Sequence, residues 1–154
     1  MSSFECWSVG EVRNGRTDAG DHGWGALEST IELHRPYVDG LLGLEQWSHV
    51  IVVYFMHRGD VSTESPAMTR RPRGRDDMPL LGVFAQRGRM RPNPIGVTTV
   101  PIVRVQPGRV IVRGLDAVDG TPVLDLKPWA PAFDGAPDAR VPTWFDQLME
   151  GYFA

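Results

Sequence analysis

Six short runs rich in Val, Ile, Thr and aromatic residues, each bounded by Gly, Pro, Asn or Asp, follow one another with almost no helical period between them. They are Phe4–Arg13, Ala26–Leu33, Ser48–Met56, Leu81–Arg87, Ile95–Val105 and Arg109–Asp116. Residues of these types fit a pleated, half-buried surface. A succession of short strands without intervening helices does not build a parallel βαβ sheet, so the expected fold is mainly β, a small antiparallel barrel or compact sandwich.

Patterns within the runs refine this. Leu27, Ser29, Ile31 and Leu33 alternate with Glu28, Thr30 and Glu32, as in a sheet with one wet face. The Ser48–Met56 run is apolar on both faces and should lie centrally. Pro107-Gly108 predicts a hairpin, and Asp119-Gly120 a turn before a further strand over 123–127. Helices are expected only at 40–47 and 141–151; in the latter, Pro142 suits a first turn and Trp144, Phe145, Leu148 and Met149 form one stripe.

The chain has 154 residues, enough for one domain spanning 1–154 with a proper core. No stretch reaches the ~18 apolar residues of a membrane span. The first residues, MSSFECWSVGEVR, lack a basic segment followed by an apolar one, so no secretory signal is read. A lone cysteine, Cys6, forms no internal disulfide or Cys-based zinc cluster and suits a reducing cytoplasm; it is read as a core residue.

The formal charge of −3 is unevenly spread. Residues 58–91 hold eight arginines against four carboxylates, a net +4 that leaves −7 elsewhere. A basic segment on an acidic body suits a phosphate-bearing partner met at one place. Only Lys127 is a lysine among the 16 basic residues, however, and an arginine preference set by the source genome leaves the same trace. Residues 57–80 form a polar connection longer than compact domains usually carry, and are read as a lid, a binding loop or a disordered stretch.

Within the basic segment, Arg87, Arg89 and Arg91 alternate beside Pro92 and Pro94. In an extended strand they would share one face. The prolines stiffen the neighbouring backbone, so the stretch is read either as a solvated basic loop or as a rail for an anionic ligand.

Several chemistries are absent from the sequence. There is no Walker-type phosphate loop, no Gly-x-Gly-x-x-Gly between strand and helix, and no Gly-x-Ser-x-Gly elbow. His22, His34, His49 and His57 lack the spacing of a helical metal site, so no metal is expected. Three polar clusters remain at strand ends: His57-Arg58, Arg87 to Gly96, and Gly114 to Trp129. In the last, Asp116 and Asp119 flank a Gly-containing turn and either grip ligand hydroxyls or only shape the turn. Asp125 and Lys127 are expected to pair as ions on one strand face.

The segments V83FAQRGRMRPNPIGV97 and G114LDAVDGTPVLDLKPW129, preceded by G43LEQWSHVIVVYFMHR58, resemble the TsaA-like family over residues 4 to about 131. That resemblance implies a small β-barrel methyltransferase, a homodimer, using S-adenosylmethionine, whose best-understood members methylate N6 of threonylcarbamoyl-adenosine beside the transfer-RNA anticodon. It places cofactor contacts on His57, Arg58, Arg87, Val97, Leu115, Asp116, Ala117 and Val118. On this reading Arg87 suits the cofactor carboxylate and Asp116 its ribose, while Arg89, Arg91 and Asn93 meet the substrate. Arg70, Arg71, Arg73 and Arg75 would touch phosphate, and Trp24 or Phe84 would stack a base. Asp119 is the candidate catalytic proton acceptor, with His57 beside it. Two departures stand out: A85QRG88 stands where many members have Ala-Thr-Arg-Ser, and Asp21–Gly25 replaces the family's Pro-Arg-Gln contact; the chain also stops soon after the barrel, where longer members add a domain. These leave a small-molecule acceptor, or a non-catalytic RNA-binding barrel, as alternatives to transfer RNA.

Overall fold

The computed structural model describes residues 2–58 and 67–154. Six antiparallel strands close into a barrel: β1 (Gly10–Arg13), β2 (Glu28–Leu33), β3 (His49–Phe55), β6 (Ile95–Gln106), β7 (Arg109–Arg113) and β8 (Pro122–Pro128). Their order around the barrel is β1-β2-β7-β6-β3-β8, with β8 returning to β1. Closure removes the exposed edges that a small open sheet would present. A separate two-stranded arm pairs β4 (Thr69–Arg70) with β5 (Leu81–Gly82). Two short helices, α1 (Pro131–Asp134) and α2 (Thr143–Met149), follow the barrel. Among the described residues no helix is long and apolar enough to cross a membrane.

The alternation read in the sequence sets which side chains fill the interior. Val12, Ile31, Val50, Val52, Val100, Val110, Val112 and Val123 are essentially without exposure, and Tyr54 is the one aromatic ring buried among them. β3 sits between β6 and β8, as its apolar character predicts, with a register shift against β8 at Val53/Tyr54. The Pro107-Gly108 hairpin joins β6 to β7, and Gly108 takes the positive φ of 74° that such a turn requires.

Several sequence expectations are corrected. The first strand is confined to Gly10–Arg13; Phe4 and Trp7 before it are 90% and 71% exposed, and Cys6 is exposed rather than in the core. Only Leu81–Gly82 of the Leu81–Arg87 run is strand, because a 3-10 turn over Val83–Ala85 follows and the Gln86 amide donates to Arg70 O and Leu81 O. The expected helix at 40–47 is instead two 3-10 turns, Arg35–Leu41 and Leu44–Gln46, separated by Gly43 at φ 88°. The helix at 141–151 forms over Thr143–Met149. Of the long polar connection at 57–80, residues 59–66 lie outside the described residues, while the rest includes β4, which pairs with β5 just beyond it.

Candidate functional site

Part of β6 has no strand beside it on the β7 side, and the backbone shows where. Met56 N–H donates to Pro94 O (2.8 Å) and Ile102 N–H to Ser48 O (2.9 Å), so the even-numbered residues of β6 turn their backbone groups to β3. Val97 and Thr99 therefore turn theirs the other way. Pairing of β6 with β7 begins only at Ile102, because β7 ends at Arg113 and Gly114, at φ 84°, diverts the chain towards β2 with its N–H on Leu27 O.

The run Leu115–Val118 thus lies across from an unpaired stretch of β6. Leu115, Ala117 and Val118 are buried, yet none of the four N–H groups of this run donates to an acceptor among the described residues. Buried backbone donors are nearly always paired. Such donors can take hydrogen-bond acceptors of a ligand.

Asp116 anchors the run. Its Oδ1 accepts the Tyr54 hydroxyl at 3.0 Å and the Thr98 hydroxyl at 2.5 Å, and its Oδ2 accepts the Tyr152 hydroxyl at 2.8 Å. Burial first, then the Asp116 charge, raises the pKa of both phenols beyond the usual tyrosine range. Both remain donors at any physiological pH. Arg87 lies against the unpaired stretch of β6, its Nη2 donating to Val97 O at 2.7 Å. Its charge opposes the upward shift of Tyr54, which places the guanidinium within Coulombic reach of the same cluster.

His57 is half-buried in the turn after β3, and its Nδ1 meets no hydrogen-bond partner among the described residues. Next to it, Arg58 reaches Thr17 O at 3.1 Å. Asp119 has a different setting: its Oδ1 accepts the N–H groups of Asn14 (2.8 Å) and Gly15 (2.9 Å). These two bonds, Gly15's first, hold its carboxyl below the usual aspartate range. Asp119 is therefore a brace for the turn and a weak proton acceptor. Asn14 completes that brace by donating through Nδ2 to Ser29 Oγ and Ala117 O, both at 2.9 Å.

The expected substrate residues fare unevenly. The alternating arginines do not form a rail: Arg91 N–H bonds to Arg89 O, which turns the chain, and the Arg91 guanidinium is spent on Val83 O and Gln86 O. Arg89 and Asn93 are exposed. Trp24 does not offer a stacking face, because it is 2% exposed, with Arg16 stacked 3.6 Å over its ring and its indole N–H on Gly20 O. Phe84, 77% exposed, does present a ring to solvent. On the arm, Arg71 donates to Met78 O, Arg73 pairs with Asp21 at 3.1 Å and Arg75 with Asp77 at 2.6 Å.

Sequence reasoning missed Asn14, Tyr54, Thr98 and Tyr152. Tyr54 and Thr98 stand in apolar runs where they read as sheet residues, and their only signal was a polar group at an inward position of a strand. Among the described residues no three His, Cys, Asp or Glu side chains converge on a point that would hold a metal ion.

Residues 21–135 match the family model described as the tRNA-methyltransferase O N-terminal domain. An S-adenosyl-L-methionine-binding protein of Archaeoglobus fulgidus is 39% identical over 106 residues, 69% of this chain and 72% of that protein. RcsF of Pseudomonas aeruginosa is 39% identical over 117 residues, 75% of this chain but 48% of its own length. Among solved structures, one of TrmO superimposes with a TM-score of 0.74 at 33% identity, covering 91% of this chain and 64% of that one. TrmO from Pseudomonas aeruginosa gives 0.72 at 32%, covering 90% and 62%. The chain thus spans about half to two-thirds of the length of several proteins it matches.

Proposed function

The chain belongs to the tRNA-methyltransferase O N-terminal domain family, and from that premise we propose that it is an S-adenosylmethionine-dependent methyltransferase acting on N6 of threonylcarbamoyl-adenosine beside the transfer-RNA anticodon. The observation that carries the reading is the run Leu115–Val118, buried at three of its four residues and with N–H groups that meet no acceptor among the described residues, beside the part of β6 that β7 leaves unpaired. A purine edge supplies the acceptors those donors lack. On this reading Asp116 is the acceptor for ribose hydroxyls and Arg87, held on Val97 O, the cation for the amino-acid carboxylate, with His57 and Arg58 as further cofactor contacts.

When bound, S-adenosylmethionine supplies an activated methyl group on sulfur. The protein's work is chiefly to hold the nucleophile in line and about 3 Å from it. An N6 carrying a carbonyl substituent is a poor nucleophile, and its proton must be taken up. His57 is the better acceptor, since its Nδ1 is free of partners among the described residues whereas Asp119 is committed to two N–H groups. Arg89, Asn93 and the exposed ring of Phe84 are the groups left to meet the acceptor.

The homodimer belongs to the same proposal. Phe55, Ile95 and Val97 leave an apolar outer face on β3 and β6 that a second copy would cover. A small-molecule acceptor is the second reading, favoured by the covered state of Trp24, which leaves the Asp21–Gly25 loop no stacking face for a base. The deciding experiment incubates the protein with methyl-labelled S-adenosylmethionine and, separately, bulk transfer RNA or a small-molecule extract. Label in transfer RNA, lost with Arg87→Ala, supports the first reading; label only in the small-molecule fraction replaces it with the second, and label in neither removes both.

A further inference from the structure

The carboxylate of Asp116 is occupied from two sides, and one occupant comes from outside the residues that match the family. Oδ1 carries Tyr54 and Thr98, both strand residues of the barrel. Oδ2 carries Tyr152, which lies beyond the matched 21–135. Tyr152 arrives there because Gly151–Ala154 runs along the Asp21–Gly25 loop. Gly23 N–H donates to Gly151 O at 3.3 Å and Trp24 N–H to Tyr152 O at 3.1 Å. Gly25 permits the approach, since a Cβ there would stand 2.0 Å from Phe153 O.

The arginine arm reaches the same place. Arg73 sets its guanidinium 5.3 Å from the centre of the Tyr152 ring while pairing with Asp21 at 3.1 Å. It is also the only non-glycine residue at positive φ, 53°, among the described residues. That conformation costs of order 1 kcal/mol and is kept only where contacts hold it. Loop, arm and segment thus form one latch, and the group it turns to the site is a phenol hydroxyl.

A ribose hydroxyl is a donor of the same kind. Oδ1 already has two donors, whereas Oδ2 meets Tyr152 alone among the described residues. We propose that Tyr152 is a built-in occupant of a diol-binding carboxylate: a nucleoside ribose binds Asp116 by replacing the phenol at Oδ2, and the Gly151–Ala154 segment leaves the Asp21–Gly25 loop as it does so. The proposal rests on the cofactor reading above and adds a control to it. Ligand affinity is lowered by the fraction of molecules in which the latch is closed.

The test is calorimetry of the full chain with S-adenosylhomocysteine, which has no methyl to transfer, on the unsubstituted protein, Tyr152→Phe and Gly25→Ala. The first variant removes the competing hydroxyl and keeps the ring under Arg73; the second expels the segment without touching Asp116. Both are expected to bind about three- to tenfold more tightly. In the unsubstituted protein, the ligand is expected to speed amide hydrogen exchange at Gly23 and Trp24, whose acceptors lie on the segment. Equal or weaker affinity for Tyr152→Phe, or slowed or unchanged exchange at those amides, overturns the proposal and leaves the cofactor reading standing. Absence of binding by the unsubstituted protein and by both variants overturns that reading and this proposal with it. Tyr152→Phe keeps the test decisive if Gly25→Ala fails to fold.

Discussion

Gly96 lies so close to the ring of Tyr54 that a Cβ on it would stand 2.3 Å from ring carbon Cε2 and 2.8 Å from the hydroxyl oxygen. The two residues pair directly across β3 and β6. Gly96→Ala must therefore push the ring, and with it the hydroxyl that Asp116 accepts. Overpacking of this kind costs about 1–3 kcal/mol. Denaturant unfolding should show that loss together with weaker binding of S-adenosylhomocysteine, whereas a fall in stability with unchanged binding would separate Tyr54 from the site.

Two of the three tyrosines should titrate late. Burial and the charge of Asp116 raise the pKa of Tyr54 and Tyr152 above the free value. A raised folded-state pKa contributes stability that is complete below the unfolded value of about 10 and is lost as pH rises from there. Ultraviolet titration of phenolate should reveal the two late groups, and Tyr152→Phe should remove one of them and flatten the alkaline loss of stability.

Asp119 is expected to matter for the turn and not for proton transfer. Its carboxyl is held below the ordinary range by the Gly15 and Asn14 N–H groups, so its contribution is complete above that range and is lost as pH falls through the folded value. Asp119→Asn should lower stability at neutral pH by about 1 kcal/mol and flatten the acid side of the stability profile. Methyl transfer should survive it and fail in His57→Gln. The reverse pattern in single-turnover assays would restore Asp119 as the proton acceptor.

Phosphate contact should come from arginines that are exposed. Arg75 and Arg89 are both exposed, and the surface pair of Arg75 with Asp77 adds little that would hold it back. Replacing either with Gln should reduce the slope of log affinity for transfer RNA against log salt by about one. A slope unchanged in the double variant would remove this side from the RNA interface.

Most of the architecture was legible in residue order. Alternation in Leu27–Leu33, the apolar run of β3 and the Pro107-Gly108 turn follow from steric and burial preferences that act over a few residues; they led to an antiparallel barrel or sandwich, and the family resemblance pointed to the barrel that forms. The Asp125–Lys127 ion pair, at 2.7 Å, was equally local. Prediction failed where a strand-like composition met no partner. Phe4–Ser8 has the residues of a strand, but backbone pairing starts only at Val9, which bonds Val123 O and His34 N–H, and Val83–Ala85 turns because Gln86 secures the backbone behind it.

The site divides along the same line. Its residue types at Arg87, Val97 and Leu115–Val118 could be marked from motifs, since those stretches are contiguous. That Asp116 gathers hydroxyls from Tyr54, Thr98 and Tyr152, and that Asp119 is tied to Asn14 and Gly15, are matters of long-range closure. A local pattern fixes which way a side chain points along its own strand. It takes the folding of the whole chain, which brings residues 18 to 105 positions apart within hydrogen-bond reach, to decide what that side chain meets.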